Sequence, residues 1–224
     1  MGLSRMSIKA YFGAVAAIGF LAAGAAPAGA GVLFSDLGPG QSYDCCSGWT
    51  VSGSSSTLGQ SLVSASEFTA AKGGAVGAID VAIGHISGTN GATVSLWTDN
   101  AGALGSQLGS WDVSGLATFG STGSGSLADI TGVKGVSLVA GKSYFLQLSS
   151  PSDTWDAWNF NSVGQSSKLI QNGQDFGPQA TGAFQVLSSA PEPAAWAMMV
   201  LGVGMVGAGL RLQARRQTPA SLAV

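Results

Sequence analysis

Charge is what this 224-residue chain has least of. Charged residues make up 9 % of it, against about 25 % in an ordinary soluble domain. Residues 31–190 hold ten acids, four lysines and no arginine. That stretch has no basic patch for a phosphate backbone, which excludes nucleic acid as a partner. Histidine occurs once, at His85, and cysteine only at the adjacent Cys45 and Cys46. Structural zinc takes four Cys or His ligands, and no calcium loop of regularly spaced Asp and Asn is present; no metal and no cofactor are expected. Glu67 is the only glutamate between residues 31 and 190, and nothing pairs two carboxylates as a glycosidase needs. No Gly-x-Ser-x-Gly motif occurs, and Gly123-Ser124-Gly125 lies in a Gly/Ser loop. A Ser-His-Asp triad therefore has no nucleophile to offer His85, which reads as a surface histidine at a strand end. No catalytic residue is expected, and the chain is not expected to be an enzyme. Long apolar runs at helical period are also missing from residues 31–190, which argues against a helical bundle.

Glycine, serine and threonine fill the space that charge leaves. Short apolar runs recur between clusters of Gly, Ser, Asn and Pro. Strands are expected at Ala78–Ile86, Ala92–Thr98, Leu108–Val113, Gly135–Val139, Ser143–Ser149 and Phe184–Leu187. Val94, Leu96 and Thr98 alternate with Thr93, Ser95 and Trp97, as a half-buried strand requires. Gly88-Thr89-Asn90-Gly91 and Asp99-Asn100-Ala101-Gly102 read as turns, the first because Asn-Gly accepts the positive φ of a hairpin. The expectation is an all-β fold, an antiparallel β-sandwich of jelly-roll-like type over residues 31–186. An N-terminal signal helix and a C-terminal transmembrane helix flank it. Residues 187–190 form a linker.

The two ends carry a different pattern. Arg5 and Lys9 precede an apolar, small-residue run from Ala10 to Ala26, and Ala28-Gly29-Ala30 is an A-x-A-like cleavage site. Residues 1–30 thus read as a secretory signal peptide cut near Ala30. Ala194 to Leu210 is 17 residues without a charge, the lower limit for spanning a roughly 30 Å hydrocarbon layer. Arg211, Arg215 and Arg216 follow as a stop-transfer group held in the cytoplasm by the positive-inside rule, with residues 217–224 as a cytoplasmic extension. Gly204 and Ala208 have small-xxx-small spacing, which lets one membrane helix pack closely on another.

Pro191, Glu192, Pro193, Trp196, Ala197, Met198 and Met199, then a Gly-rich span, then arginines, resemble the PEP-CTERM sorting signal in its PEPxxWAMM form. The resemblance covers residues 191–216. It implies recognition by an intramembrane exosortase, cleavage near Pro-Glu-Pro, and transfer from the inner membrane to the envelope or extracellular matrix of a Gram-negative bacterium that makes exopolysaccharide. The arginine group is more dilute than is usual in that family. The order Gly48–Gly53, Ala65–Thr69, Ile79–Gly84, Val94–Asp99, Leu138–Tyr144 and the Trp-rich Asp153–Trp158 also resembles the choice-of-anchor R domain, a β-rich secreted module. That likeness spans about residues 32–165 and implies architecture and location but no activity. Together they imply an exported surface or matrix protein with a structural or adhesive role linked to exopolysaccharide.

Within the middle region, Trp155, Asp156, Trp158 and Asn159 form the candidate ligand surface. The two indoles have the chemistry to stack on sugar rings, and Asp153, Asp156, Asn159 and Asn161 to bond hydroxyls or hold Ca²⁺. The ordinary alternative is that the tryptophans plug the core and the polar residues cap turns. Cys45 and Cys46 admit three readings: a vicinal disulfide, bonds to another chain, or buried inert thiols.

Overall fold

Segments of alternating apolar and small polar residues become strands, and turns rich in Gly, Asn and Asp separate them. The structure is a computed structural model that describes residues 30–121, 126–190, 199–208 and 211. In chain order its strands are β1 (Val32–Ser35), β2 (Tyr43–Ser52), β3 (Ser64–Thr69), β4 (Gly74–Val81), β5 (Ile83–Ser87), β6 (Gly91–Asn100) and β7 (Ala103–Ser114). There follow β8 (Ala128–Thr131), β9 (Ser137–Leu138), β10 (Ser143–Ser149), β11 (Trp155–Asn161), β12 (Ser166–Gln171), β13 (Gln174–Ala180) and β14 (Phe184–Ser188). The fold is all-β.

Every strand pairing is antiparallel, in three sheets. One has six strands in the order β13-β12-β3-β10-β6-β7; a second runs β1-β14-β4-β8, with β9 also on β4; a third is β2-β11-β5. In the six-stranded sheet Leu146 lies opposite Ser66 on one side and Leu96 on the other. In the second sheet Ile79 lies between Val186 and Ile130. One continuous core joins all three sheets. Phe68, Val94, Leu96, Leu146 and Leu148 come from the first, Ile79, Val81, Phe184 and Val186 from the second, and Val51, Ile83 and Trp158 from the third. Burying each such aliphatic side chain stabilises the fold by about 1.5–3 kcal/mol before chain entropy is counted.

The run expected as one strand at Ala78–Ile86 is two. β4 belongs to the second sheet and β5 to the third. Ala82 is the corner: its N–H donates to the Ala183 carbonyl, and its carbonyl accepts the Asn159 N–H. The apolar Val81-Ala82-Ile83 runs straight through this break and masks it, because both faces of the chain are buried there. The first expected turn also differs. Positive φ falls on Gly88 at 86°, while Asn90 has an ordinary φ. The Asn90 side chain instead makes two bonds to the Leu116 backbone, accepting its N–H at 2.6 Å and donating to its carbonyl at 2.9 Å. At the second turn Ala101 and Gly102 take positive φ, and Asp99 accepts the Gly102 N–H at 2.7 Å. Near the C-terminal end β14 runs to Ser188 and Ser189 donates to the Ala75 carbonyl. Residues 187 and 188, expected in the linker, therefore belong to the domain, because the β1 and β4 ladders reach them.

Candidate functional site

The residues singled out for ligand binding fall on β11 and its neighbours. The structure buries three of the four. Trp158 is fully buried, and its indole N–H donates to the Ala183 carbonyl at 3.2 Å. Asp156 and Asn159 are buried as well, and Trp155 is half-buried. A sugar-stacking platform on Trp155 and Trp158 is therefore not formed. Successive side chains of a strand point to opposite faces, so residues 155 and 158 lie on different sides of the sheet. Both sides of this central strand are covered.

Most polar groups beside them are bonded within the fold, while Asn159 Oδ1 is buried without a hydrogen-bond partner. Asp153 accepts the Thr89 N–H at 3.1 Å and the Thr89 hydroxyl at 2.9 Å, closing its loop onto the β5–β6 turn. Those bonds hold its carboxyl below the usual range. The Asn159 amide donates to the Ala82 carbonyl at 3.1 Å. Asn161 donates to Thr181 and to the Gln165 carbonyl, and accepts the N–H groups of Val163 and Gln165. Thr181 in turn donates to Asp36 at 2.7 Å, and Asp36 accepts the Phe184 N–H at 2.7 Å. Burial pushes the Asp36 carboxyl up to about 6, against the lowering pull of those two bonds. The Asp153, Asp156 and Asn161 oxygens that a Ca²⁺ ion would need already accept hydrogen bonds within the fold. Among the described residues no group of three or more His, Cys, Asp or Glu could hold a metal ion.

His85 is not a surface residue. Its Nδ1 lies 2.9 Å from Asp156 Oδ1, with 17 % of the His85 side chain exposed and none of Asp156. Ser150 donates to the other oxygen, Oδ2, at 2.7 Å. Burial raises the Asp156 carboxyl above its ordinary value, and the bonds from Ser150 and His85 oppose that rise. Ser, His and Asp are thus brought together in an order that cannot relay a proton to a nucleophile. The carboxylate sits in the middle, and the serine hydroxyl points at it rather than at the imidazole. A hydrolytic triad needs the imidazole in the middle. This cluster ties β5 to β11 and to the β10–β11 loop. Sequence spacing gave no signal for it, because residues 85, 150 and 156 meet only through the sheet register that pairs His85 with Asp156.

A second polar row crosses the second sheet. Asp80 lies opposite Gln185 on one side and Asp129 on the other. Gln185 donates to Asp80 at 2.6 Å. Burial raises the Asp80 carboxyl, and the neighbouring Asp129 adds to the rise. A cavity of about 120 Å³ opens beside Ile83, Leu116, Leu127 and Asp129. Sites for drug-sized ligands occupy about 300–1,000 Å³, so this space is smaller than such a site.

Cys45 and Cys46 are joined as a vicinal disulfide. They lie on β2 where its register with β11 jumps: Asn159 faces Gly48, and Phe160 faces Asp44. Residues 45, 46 and 47 bulge out of the ladder. Cys45 is half-buried and Cys46 exposed.

Of the terminal residues, Ala30, Met199 and Arg211 are described and exposed. Ala28, Pro191, Glu192, Pro193, Trp196, Ala197, Met198, Arg215 and Arg216 lie outside the described residues, as do the expected signal helix and Gly123-Ser124-Gly125. Residues 199–208 are helical. Met199, Val200, Leu201, Val203, Met205 and Val206 on that helix are 58–70 % exposed. No helix among the described residues is long and apolar enough to cross a membrane; residues 194–198, 209 and 210 of the expected span are not among them. The chain matches no family model and no curated protein.

Proposed function

We propose that the chain is an exported surface protein. Residues 1–30 direct export, an exosortase recognises the 191–216 tail at the inner membrane, and the mature domain acts without catalysis in a structural or adhesive role linked to exopolysaccharide. In this reading the facing sheets form a jelly-roll-like sandwich whose polar side chains serve the fold rather than a small ligand. The observation that carries the reading is the helix over residues 199–208. Six of its ten residues are large, apolar and more than half exposed. Exposed in water, such a surface is unfavourable by about 25 cal/mol per Å². A bilayer removes that cost. Arg211 directly after the apolar run supports the same placement.

Intact-mass measurement on the protein from native envelopes and culture medium tests it. The expected product begins near Gly31 and ends between Pro191 and Pro193. A product that retains the chain through Val224 in every fraction leaves export standing and removes sorting. A product that retains residues 1–30 removes signal cleavage and makes that segment an uncleaved membrane anchor.

A further inference from the structure

We propose that the Cys45–Cys46 disulfide is a thiol-exchange site, at which a low-molecular-weight thiol attacks Cys46 while the domain stays folded. Four observations carry this. The bond joins neighbours in sequence, so it closes no loop and contributes none of the chain-entropy stabilisation that a long-range disulfide gives. It sits in a three-residue bulge whose flanks keep their own pairing: Gly48–Ser52 with Trp155–Asn159 on one side, and Tyr43 and Asp44 with Asn161 and Phe160 on the other. Opening it therefore breaks no rung of the ladder. The turn is also held independently of the sulfurs, because Asp44 Oδ1 accepts the Cys46 N–H at 3.1 Å. Finally, the two sulfurs differ in access. Cys45 packs against the small cluster of Tyr43, Ala82 and Ala183, while Cys46 is exposed.

The chemistry balances with a thiol as the only co-reactant. A thiolate forms a bond to Cys46 Sγ, the Cys45–Cys46 bond breaks, and Cys45 leaves as a thiolate that takes up a proton. A second thiol then attacks the mixed disulfide. It releases Cys46 as a thiol and leaves the two external thiols oxidised to their own disulfide, with two electrons passed to the protein. Cys45 next door competes with that second step by re-forming the original bond. The site is thus built to exchange reversibly and to resist further oxidation. The proposal stands apart from the sorting reading, and neither depends on the other.

The test uses the protein as it is recovered from native envelopes and culture medium, treated with reduced glutathione and then acid-quenched for peptide mass mapping. A parallel sample is alkylated without denaturant. The expected result is a glutathione adduct on Cys46, followed by complete loss of protection of both cysteines from alkylation. Hydrogen exchange should rise at residues 45–47 alone. S-methyl-glutathione should leave the protein unchanged. Protection that persists until the protein is denatured overturns the proposal. So does an adduct confined to Cys45, faster exchange along Gly48–Ser52 on reduction, or a native protein that already carries two free thiols.

Discussion

Trp158 is a packing residue of the core. Its ring lies against Phe184, with centroids 5.9 Å apart, and a Cβ on Gly182 would collide with the indole itself. The glycine and the tryptophan are one packing unit between β11 and the segment that leads into β14. Trp158→Ala leaves a cavity the size of an indole and leaves the Ala183 carbonyl with the Ala82 N–H as its remaining donor, and is expected to cost about 3–5 kcal/mol. Gly182→Ala keeps the ring but pushes it out of place, at about 1–3 kcal/mol. Urea unfolding of the two variants checks the order: both midpoints fall, and Trp158→Ala falls further. An unchanged midpoint in Trp158→Ala would restore the idea of a tryptophan kept for a ligand. Trp155 on the same strand is the useful contrast. Its indole N–H is buried without a hydrogen-bond partner, which costs stability where Trp158 gains it.

At the scale of elements, the molecule is held by side chains that reach across turns. Asn90 leaves the β5–β6 turn to bond both backbone groups of Leu116 beyond β7. Asn90→Ala leaves that N–H and carbonyl to find water. The expected cost is about 1–3 kcal/mol, with faster amide exchange at Leu116 as the local signature, while Asn90→Asp, which keeps the acceptor, restores the protection of that N–H. The same elements show what could be read in advance. β10 was legible to the residue, because the largely apolar Tyr144–Leu148 run is bounded by serines and flanked by Gly141 and Pro151. β6 and β14 were legible within a few residues. β2, β3 and β11–β13 were not. Their Ser, Thr, Asn and Gly content lowers the apolar contrast on which alternation depends, and Trp155–Asn161 is covered on both sides, so its polar letters suggest a surface that does not exist. Asn90-Gly91 was legible as a turn but not as a clamp, since the partner is 26 residues away. Of the candidate site, the letters supplied the right residue types in the wrong setting: Asp156, Trp158 and the Asn159 amide bond inside the fold, and Trp155 Nε1 and Asn159 Oδ1 are buried without partners.

For the whole molecule, scarce charge becomes a statement about stability. Among the described residues one Lys or Arg pairs with a carboxylate, the partly exposed Lys168–Asp175. Exposed pairs contribute about 0–1 kcal/mol and are screened by salt, so the urea midpoint should barely move between low and high sodium chloride. The response to pH should be larger, and it should run opposite to ordinary acid denaturation. Asp36, Asp80 and Asp156 all have carboxyls raised by burial. A carboxyl whose folded pKa exceeds its unfolded value binds more protons in the folded state between the two values, so stability falls as pH rises through that window. For Asp36 the window runs from 3.8 to about 6, and a shift of about two units corresponds to about 3 kcal/mol. Asp153 and Asp175 are shifted the other way, but both are solvent-exposed and weigh less. The wild-type protein is therefore expected to have a higher urea midpoint at pH 4 than at pH 7. Asp36→Asn keeps an oxygen for the Phe184 N–H and no longer titrates, so the gap between the two midpoints should shrink. A wild-type midpoint that rises from pH 4 to pH 7 would mean that the buried carboxylates are better solvated by their hydrogen bonds than burial allows. The Asp36–Thr181–Asn161 network would then be a source of stability at neutral pH rather than a cost carried to fix the chain path between β11 and β14.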